Sequence, residues 1–550
     1  MMDGPRAQNA PAGPDRRLAI NASIVMGATM LSRITGFFRE MLIPAKFGVG
    51  IVADVYDVAF KFPDLMFNLL IGGAISAALV PVLSGSISRG EEGEGWQAIS
   101  RFINLTMALT VVVSVVGMFF SEQLVVLFAQ GWDPTSPEDM VKIVMAARLM
   151  RVLFPSVSFL MLAGFANSVL YSYQRFASAA FGPVLYNILC IASIALLSGG
   201  GPEEYYHVDR VVYGVMLSSF SYFIFQTAWA YKNIKGNYAP SFDLRHKGFQ
   251  RLFGIALPSL ISSSVVHINA MVTTSFSSRF EAGSIAAMRM ADRTWQMPYG
   301  IIAQSIGIAM LPNLSGKYAN DDLDGYKKSL TTALRYVLLL AIPVFAACLA
   351  LSNLIMRTLF MNSNRITETD IALTASILIF YSSALITQSV NTILTRAFYA
   401  CNETKTPMLT GISIIGLNVL LSILFYNFTE IGARGMALAY AISSFANTVL
   451  LVVLLNRRLP GLNALGGLRA FFAKTGGAAL VMAAALLLAG RALPAGFVSG
   501  PFSMALKIKQ LLLLCANAAA GALIYFGLLA VFRLPEMDEI IGSVKKRFRK

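Results

Sequence analysis

Charge is what this chain has least of. Only 13% of its 550 residues are Asp, Glu, Lys or Arg, about half the share of an average soluble protein, and that shortage excludes an ordinary water-soluble enzyme. Histidine is scarcer still. His207, His246 and His267 are scattered singly, so neither a His-Glu-x-x-His helix nor a comparable metal cluster can form in sequence. The four cysteines (Cys190, Cys348, Cys401, Cys515) lie in or beside apolar stretches without paired spacing and read as small apolar residues. A glycine-rich phosphate loop closed by Lys-Ser or Lys-Thr is missing too, which removes ATP hydrolysis by that route. The acidic loop from Asp133 to Asp139 lacks the companion residues of a glycosyl-transfer site. The chain is therefore expected to be no enzyme and to carry no cofactor.

Apolar residues fill the space that charge leaves. They make up 56% of the chain, with a mean hydropathy of +0.64, spread over the whole length rather than in one anchor. The first seventeen residues are polar, and the apolar run after them is too long and too polar in its middle for a cleavable signal, so the amino terminus is expected to be retained.

Stretches of about twenty apolar residues cross a roughly 30 Å hydrocarbon core as helices. Cut at its polar punctuation, the chain yields about fourteen: 18–47, 51–84, 97–121, 141–173, 178–198, 210–231, 250–279, 282–313, 328–356, 368–401, 406–427, 431–455, 470–490 and 509–532. Basic residues set the orientation. Arg6, Arg16 and Arg17, the 232–251 loop, Lys317, Lys327 and Lys328, Arg457, Arg458 and Arg469, and the tail from Lys545 to Lys550 all fall on one side. Asp133, Glu138, Asp139, Glu203 and Glu204 fall on the other. Both termini are thus expected to be cytoplasmic. The +15 net charge belongs largely to this topology signal and does not call for nucleic acid.

An internal repeat organises the spans. Ala78-Leu-Val-Pro-Val-Leu-Ser-Gly85 returns as Ala309-Met-Leu-Pro-Asn-Leu-Ser-Gly316, a separation of 231 residues, and Asn187 lies the same distance before Asn418. Leu170-Tyr-Ser172 has a weaker echo in Phe398-Tyr-Ala400. Six spans separate the copies, so they point the same way across the membrane. The expected fold is an all-α polytopic membrane protein of about 14 transmembrane helices, with two pseudo-symmetric six-helix lobes and two extra C-terminal helices. Its divisions are a tail at 1–17, a lobe at 18–231, a loop at 232–249, a second lobe at 250–455, a loop at 456–469, the extra pair at 470–532 and a basic tail at 533–550. Two lobes around a central cavity suit alternating access better than a channel.

A charge at helix-centre depth costs about 2.5–3.5 kcal/mol on insertion scales, so clusters there need partners or a watery cavity. Span 1 holds Arg33, Arg39 and Glu40; span 2 carries Asp54, Asp57, Lys61 and Asp64 along one face; span 8 gathers Arg289, Asp292, Arg293 and Gln296 on another. Salt bridges such as Asp57 with Lys61, or Asp292 with Arg293 or Arg289, would account for single residues. The recurrence of cations in spans 1, 2 and 8 points instead to an anionic, phosphate-bearing substrate, since the arginine fork donates two hydrogen bonds and keeps its charge. Span 7 is polar but uncharged (Ser259, Ser262, Ser263, Ser264, His267, Asn269, Thr273, Thr274, Ser275) and suits a wall of the same cavity, with His267 read as structural. Work must come from an ion gradient, the membrane potential or the substrate's own gradient.

Ser32-Arg-Ile-Thr-Gly-Phe-Phe-Arg-Glu40, with Phe47-Gly48, Ala53-Asp54, Val58-Ala-Phe-Lys-Phe-Pro63, Gly73-Ala-Ile-Ser76 and Val80-Pro81, resembles the amino-terminal signature of the MurJ/MviN lipid II flippases. Ala291-Asp-Arg293 and the stretch Arg396-Ala-Phe-Tyr-Ala-Cys-Asn-Glu-Thr-Lys-Thr-Pro407 are similar to later motifs of that family. The resemblance implies a fold of the multidrug/oligosaccharidyl-lipid/polysaccharide exporter type and movement of undecaprenyl-pyrophosphate-linked peptidoglycan precursor from the cytoplasmic to the outer leaflet of a bacterial inner membrane. It implies that Arg33, Arg39 and Arg293 engage the pyrophosphate. Glu40, Asp54, Asp57, Lys61, Arg289, Asp292, Gln296 and Asn269 support them, and spans 13 and 14 form a groove for the lipid tail. Implied partners are lipid II, membrane lipids and cell-wall synthesis proteins. The sequence departs from the family pattern at Phe67-Asn68, Gly72 and Gln296, and has Asn269 and Asn418 where some members have sodium-binding carboxylates; no coupling ion is assigned. An exporter of another prenyl-linked glycan, a drug/cation antiporter of the same superfamily and a scaffold for cell-wall enzymes are the rival readings.

Overall fold

The computed structural model describes residues 14–69, 76–199, 204–401, 403–459, 468–492, 500 and 502–537. The basic tails, Gly72, and the side chains of Ser259, Ser262, Ser263 and Ser264 lie outside what is described. Among the described residues every regular element is helical. In chain order these are α1 (Pro14–Phe47), α2 (Ile51–Phe67), α3 (Ser76–Ser88), α4 (Glu92–Phe119), α5 (Ser121–Phe128), α6 (Pro137–Ser172), α7 (Phe176–Leu197), α8 (Glu204–Ile234), α9 (Lys247–Ser277), α10 (Ser284–Tyr299), α11 (Ser305–Ala319), α12 (Leu323–Phe360), α13 (Glu368–Ala400), α14 (Lys405–Phe428), α15 (Ala433–Arg458), α16 (Leu468–Ala492) and α17 (Met504–Val531). In hydrocarbon each backbone N–H and C=O must be bonded within its own segment, which leaves a chain of this composition little but helix.

Among the described residues, ten helices are long and apolar enough to cross a membrane: α4, α6, α7, α8 and α12 to α17. The other four expected crossings are spans 1, 2, 7 and 8, which take in α1, α2 with α3, α9, and α10 with α11. They are the spans interrupted by charge or hydroxyls in the sequence, and they correspond pairwise in the repeat. Spans 2 and 8 share a further irregularity. A π-helical turn begins at Asn68 in one and occupies Gly300–Gln304 in the other, so the two lie one repeat apart. Such turns occur often at functional sites because the extra residue releases a backbone carbonyl from the helical ladder.

The chain forms two compact units, and the division runs through α1, α2, α6 and α9 and the first residue of α5. One takes the described residues of 1–42, 62–121 and 148–264; its core joins Leu79, Trp96, Phe102, Phe165, Leu170 and Phe249. Within it the loop after α8 is pinned to α4, because Asn104 donates to the Ser241 carbonyl at 3.0 Å and bonds the Tyr238 hydroxyl. The other takes the described residues of 43–61, 122–147 and 265–550. In its core α16 and α17 pack on α12 through Met482, Leu486, Tyr525 and Leu529 against residues such as Leu334 and Leu338. The Tyr525 hydroxyl donates to the Leu339 carbonyl at 3.1 Å, and Arg335 pairs with the buried Glu536 at 2.8 Å. The C-terminal pair is thus fastened to one unit, while Leu480, Leu488, Leu512 and Leu523 on its other faces stay exposed, as lipid contact requires.

Local signals set the helix starts. Thr367 and Asp370 form a reciprocal capping box at α13, and Ser503 accepts from the Leu506 N–H at 3.1 Å at α17, each satisfying donors the first turn leaves open.

Candidate functional site

The charged residues singled out in the sequence separate into a buried set and an accessible set. The buried set is built on α2 and α10. Asp54 and Asp57 lie three residues apart, hence on one face of α2, and each is 4% exposed. Helix α10 starts at Gly283 with no side chain of its own to cap it. Asp54 supplies the cap from another helix: its carboxylate accepts from the Gly283 N–H at 2.6 Å and from the Ala286 N–H at 2.9 Å. A carboxylate there satisfies open donors and meets the positive end of the helix dipole. Gly283 has a φ of +91° and a Cβ on it would lie 2.9 Å from the Val49 carbonyl oxygen, so only glycine lets the chain come this close. One turn further along α10, Arg289 forms an ion pair with Asp57.

Asp54 also lines a polar cavity of about 150 Å³, together with Asp139, Lys142, Ser277, Ser278 and Arg279 among others. Lys142 and Asp139 pair at 2.7 Å on the first turns of α6. Burial pushes the Asp139 carboxyl up, but Lys142 and the Asp133 N–H outweigh it and hold it below the ordinary carboxylate range. Asp133 is held low by the N–H and hydroxyl of Thr135. At the rim the Gly131 N–H donates to Ser278 at 2.9 Å, an approach that a Cβ on Gly131 would block by striking the Ser278–Arg279 backbone.

The remaining residues of span 8 behave differently from the ion pairs considered above. Asp292 accepts from the Trp295 indole N–H at 3.0 Å and from the Gln296 amide at 2.6 Å, rather than pairing with Arg293 or Arg289. Trp295 packs against Tyr299, Tyr381 and Tyr440, a ring cluster that hydropathy gave no reason to single out. Arg293 is half-buried and has no ion-pair partner among the described residues. Along α2, the stripe grades from buried Asp54 and Asp57 through half-buried Lys61 to exposed Asp64. Asn269 on α9 accepts from Asn418 on α14 at 2.6 Å, and His267 is half-buried on the same helix.

The accessible set lies on α1, in the other unit. Arg33 is exposed. Arg39 pairs with its neighbour Glu40 at 2.9 Å while its side chain stays 26% exposed, and its guanidinium sits 5.7 Å from the centre of the Tyr186 ring on α7. Next to that tyrosine, Asn187 donates to the Ser32 carbonyl at 3.1 Å and fits against Gly36. Both repeat-related asparagines therefore do one job: Asn187 ties span 5 to span 1, and Asn418 ties span 11 to span 7. The repeat spacing had flagged the pair; Tyr186 carried no signal in the sequence.

The described residues of the long motif Arg396 to Pro407 form a helix junction. Glu403 accepts from the Lys405 and Thr406 N–H groups at 3.1 and 3.2 Å and pairs with Arg458 at 2.6 Å, joining the start of α14 to the end of α15. These bonds, that from Thr406 foremost, hold Glu403 below the usual carboxylate range.

With this geometry in hand, known proteins provide a comparison. A family model described as lipid II flippase MurJ matches residues 43–506. The lipid II flippase MurJ of Burkholderia cenocepacia is 30% identical over 465 residues, covering 84% of this chain and 87% of that protein. The probable lipid II flippase MurJ of Rhizobium meliloti is 26% identical over 542 residues, or 95% of each. Among solved structures, a lipid II flippase MurJ in an inward closed conformation superposes with a TM-score of 0.75 at 24% identity, over 92% of this chain and 98% of that one. An inward-facing multidrug resistance transporter of the MATE family superposes with 0.65 at 16% identity, over 82% and 99%. The motifs of spans 1, 2 and 8, the all-helical fold and the match over most of the chain agree: this protein belongs to the lipid II flippase MurJ family.

Proposed function

We propose that this chain is a lipid II flippase, moving undecaprenyl-pyrophosphate-linked peptidoglycan precursor from the cytoplasmic to the outer leaflet of a bacterial inner membrane by alternating access. Family membership supports the substrate. The observation that carries the head-group reading is the state of the arginines. Arg33 and Arg39 on α1 keep exposed surface, and Arg293 is half-buried without an ion pair among the described residues, whereas Arg289 is committed to Asp57. Guanidinium groups that keep surface suit a pyrophosphate, which accepts two parallel hydrogen bonds from a fork.

The roles divide accordingly. Arg33, Arg39 and Arg293 hold the pyrophosphate; Glu40 orients Arg39; Asp54, Asp57 and Arg289 stabilise the α2–α10 junction; Asp292 and Gln296 brace the α10 turn that bears Arg293. The exposed apolar faces of α16 and α17 serve the prenyl tail, which stays in lipid throughout. Both termini lie in the cytoplasm, in keeping with the basic loops. Membrane lipids surround the protein, and cell-wall synthesis proteins on the outer face consume the product. An inside-negative potential favours outward movement of an anionic head group by about 2.3 kcal/mol per charge per 100 mV, so the potential alone supplies useful work.

The test is complementation of a strain depleted of its own lipid II flippase, with lipid II exposed on the outer face measured directly. Restored growth with restored exposure supports the proposal; growth without it assigns an indirect role.

A further inference from the structure

We infer that Tyr186 on α7 is a positioning residue for Arg39, its ring holding the guanidinium in the orientation in which it meets a pyrophosphate. This rests on the head-group role proposed for Arg39. Glu40 alone does not fix that guanidinium. Adjacent residues on a helix diverge by about 100°, so an Arg39–Glu40 bond lies along the surface of α1 and does not by itself set the tilt of the guanidinium plane. The Tyr186 ring, 5.7 Å away, closes that side. Cys190, one turn along α7 and buried, lies beside both Tyr186 and Arg39. The ring is itself braced by Tyr222 at 6.1 Å. Two turns back along α1, Asn187 bonds Ser32, so α7 grips α1 at two levels and the ring cannot drift from the cation. A guanidinium over a ring gains attraction without giving up its hydrogen-bond donors, so a hold through the face is compatible with bonds made along the N–H edge.

The experiment is binding of undecaprenyl pyrophosphate to the full-length protein in nanodiscs, with thermal unfolding measured in parallel. Tyr186→Phe keeps the ring and should bind as the parent does. Tyr186→Leu should lose about three- to tenfold in affinity, and should lose nothing further in an Arg39→Ala background. Phenylalanines carrying one to three ring fluorines at position 186 keep the volume while weakening the ring's negative face, so affinity should fall stepwise with fluorination even if Tyr186→Leu fails to fold. Equal affinity across the fluorinated series, or an equal Tyr186→Leu loss with and without Arg39, overturns the inference. If Arg39→Ala itself binds as the parent does, it is the head-group reading that fails.

Discussion

The charges of α1 and those of the α2–α10 junction are similar in kind and opposite in disposition. Asp54 and Asp57 are buried and, with the half-buried Arg289, are spent on one another and on a helix terminus; Arg33 and Arg39 sit in an apolar helix yet keep surface. A buried pair stabilises only while both members remain, since the survivor of a broken pair is left without compensation. An arginine that keeps surface costs the fold less to remove and can be reached by a ligand. On the head-group reading proposed above, charge inside a membrane span has two uses, joining helices and meeting substrate, which sequence position alone does not separate.

The comparison breaks first at the junction. Asp57→Ala should lower stability by about 3 kcal/mol, read as a drop in the thermal midpoint in detergent, whereas Arg33→Ala should leave the midpoint in place. Exchanging the pair as Asp57→Arg with Arg289→Asp should recover part of the loss; no recovery would mean that the ion pair is not what joins the helices. Gly283→Ala comes next. Its positive φ and the Val49 carbonyl predict a cost of about 1–2 kcal/mol, and an unchanged midpoint would contradict the close approach of the two chain segments.

The repeat-related asparagines sharpen the same contrast at equal chemistry. Removing an interhelical hydrogen bond in a membrane costs about 0.6 kcal/mol on average, so Asn187→Ala and Asn418→Ala should shift the midpoint by similar small amounts. Transport should suffer more from Asn187→Ala, because that bond steadies the helix bearing Arg33 and Arg39. Equal transport losses would place the asparagines in a purely structural role.

The smallest effect lies outside the membrane, at Glu403. Its folded pKa is below the ordinary 4.5, so its contribution is full above that value and fades as pH falls through the lowered folded pKa. Amide exchange in the first turn of α14 should therefore speed up in acid, and Glu403→Gln should remove that pH dependence while raising exchange at neutral pH.

Much of this was legible beforehand. Fourteen crossings, a same-sense repeat and polar spans 1, 2, 7 and 8 follow from hydropathy and spacing, because lipid leaves few alternatives to helix. Asp54 and Asp57 could be placed on one face of α2 from their spacing alone. Their partners could not, since helix periodicity says which residues share a face and nothing about the facing helix. Gly283 has no mark in the sequence that separates it from the 42 other glycines, and its meaning depends on Val49, more than 230 residues earlier. Tyr186 was invisible for the same reason: an aromatic residue in an apolar span looks like lipid contact until the cation beside it is placed. The motif around Glu403 was recognisable as a signature, yet its chemistry proves to be helix capping at a loop.

The central claim is that the accessible arginines meet substrate while the buried charges hold the fold, and Arg39→Ala tests it most directly. As the sole copy in cells depleted of their own flippase, with outer-face lipid II and the thermal midpoint of the purified protein measured together, the variant should lose lipid II exposure and keep its midpoint. Normal exposure would contradict the claim, and so would a loss that appears only together with a fall in the midpoint.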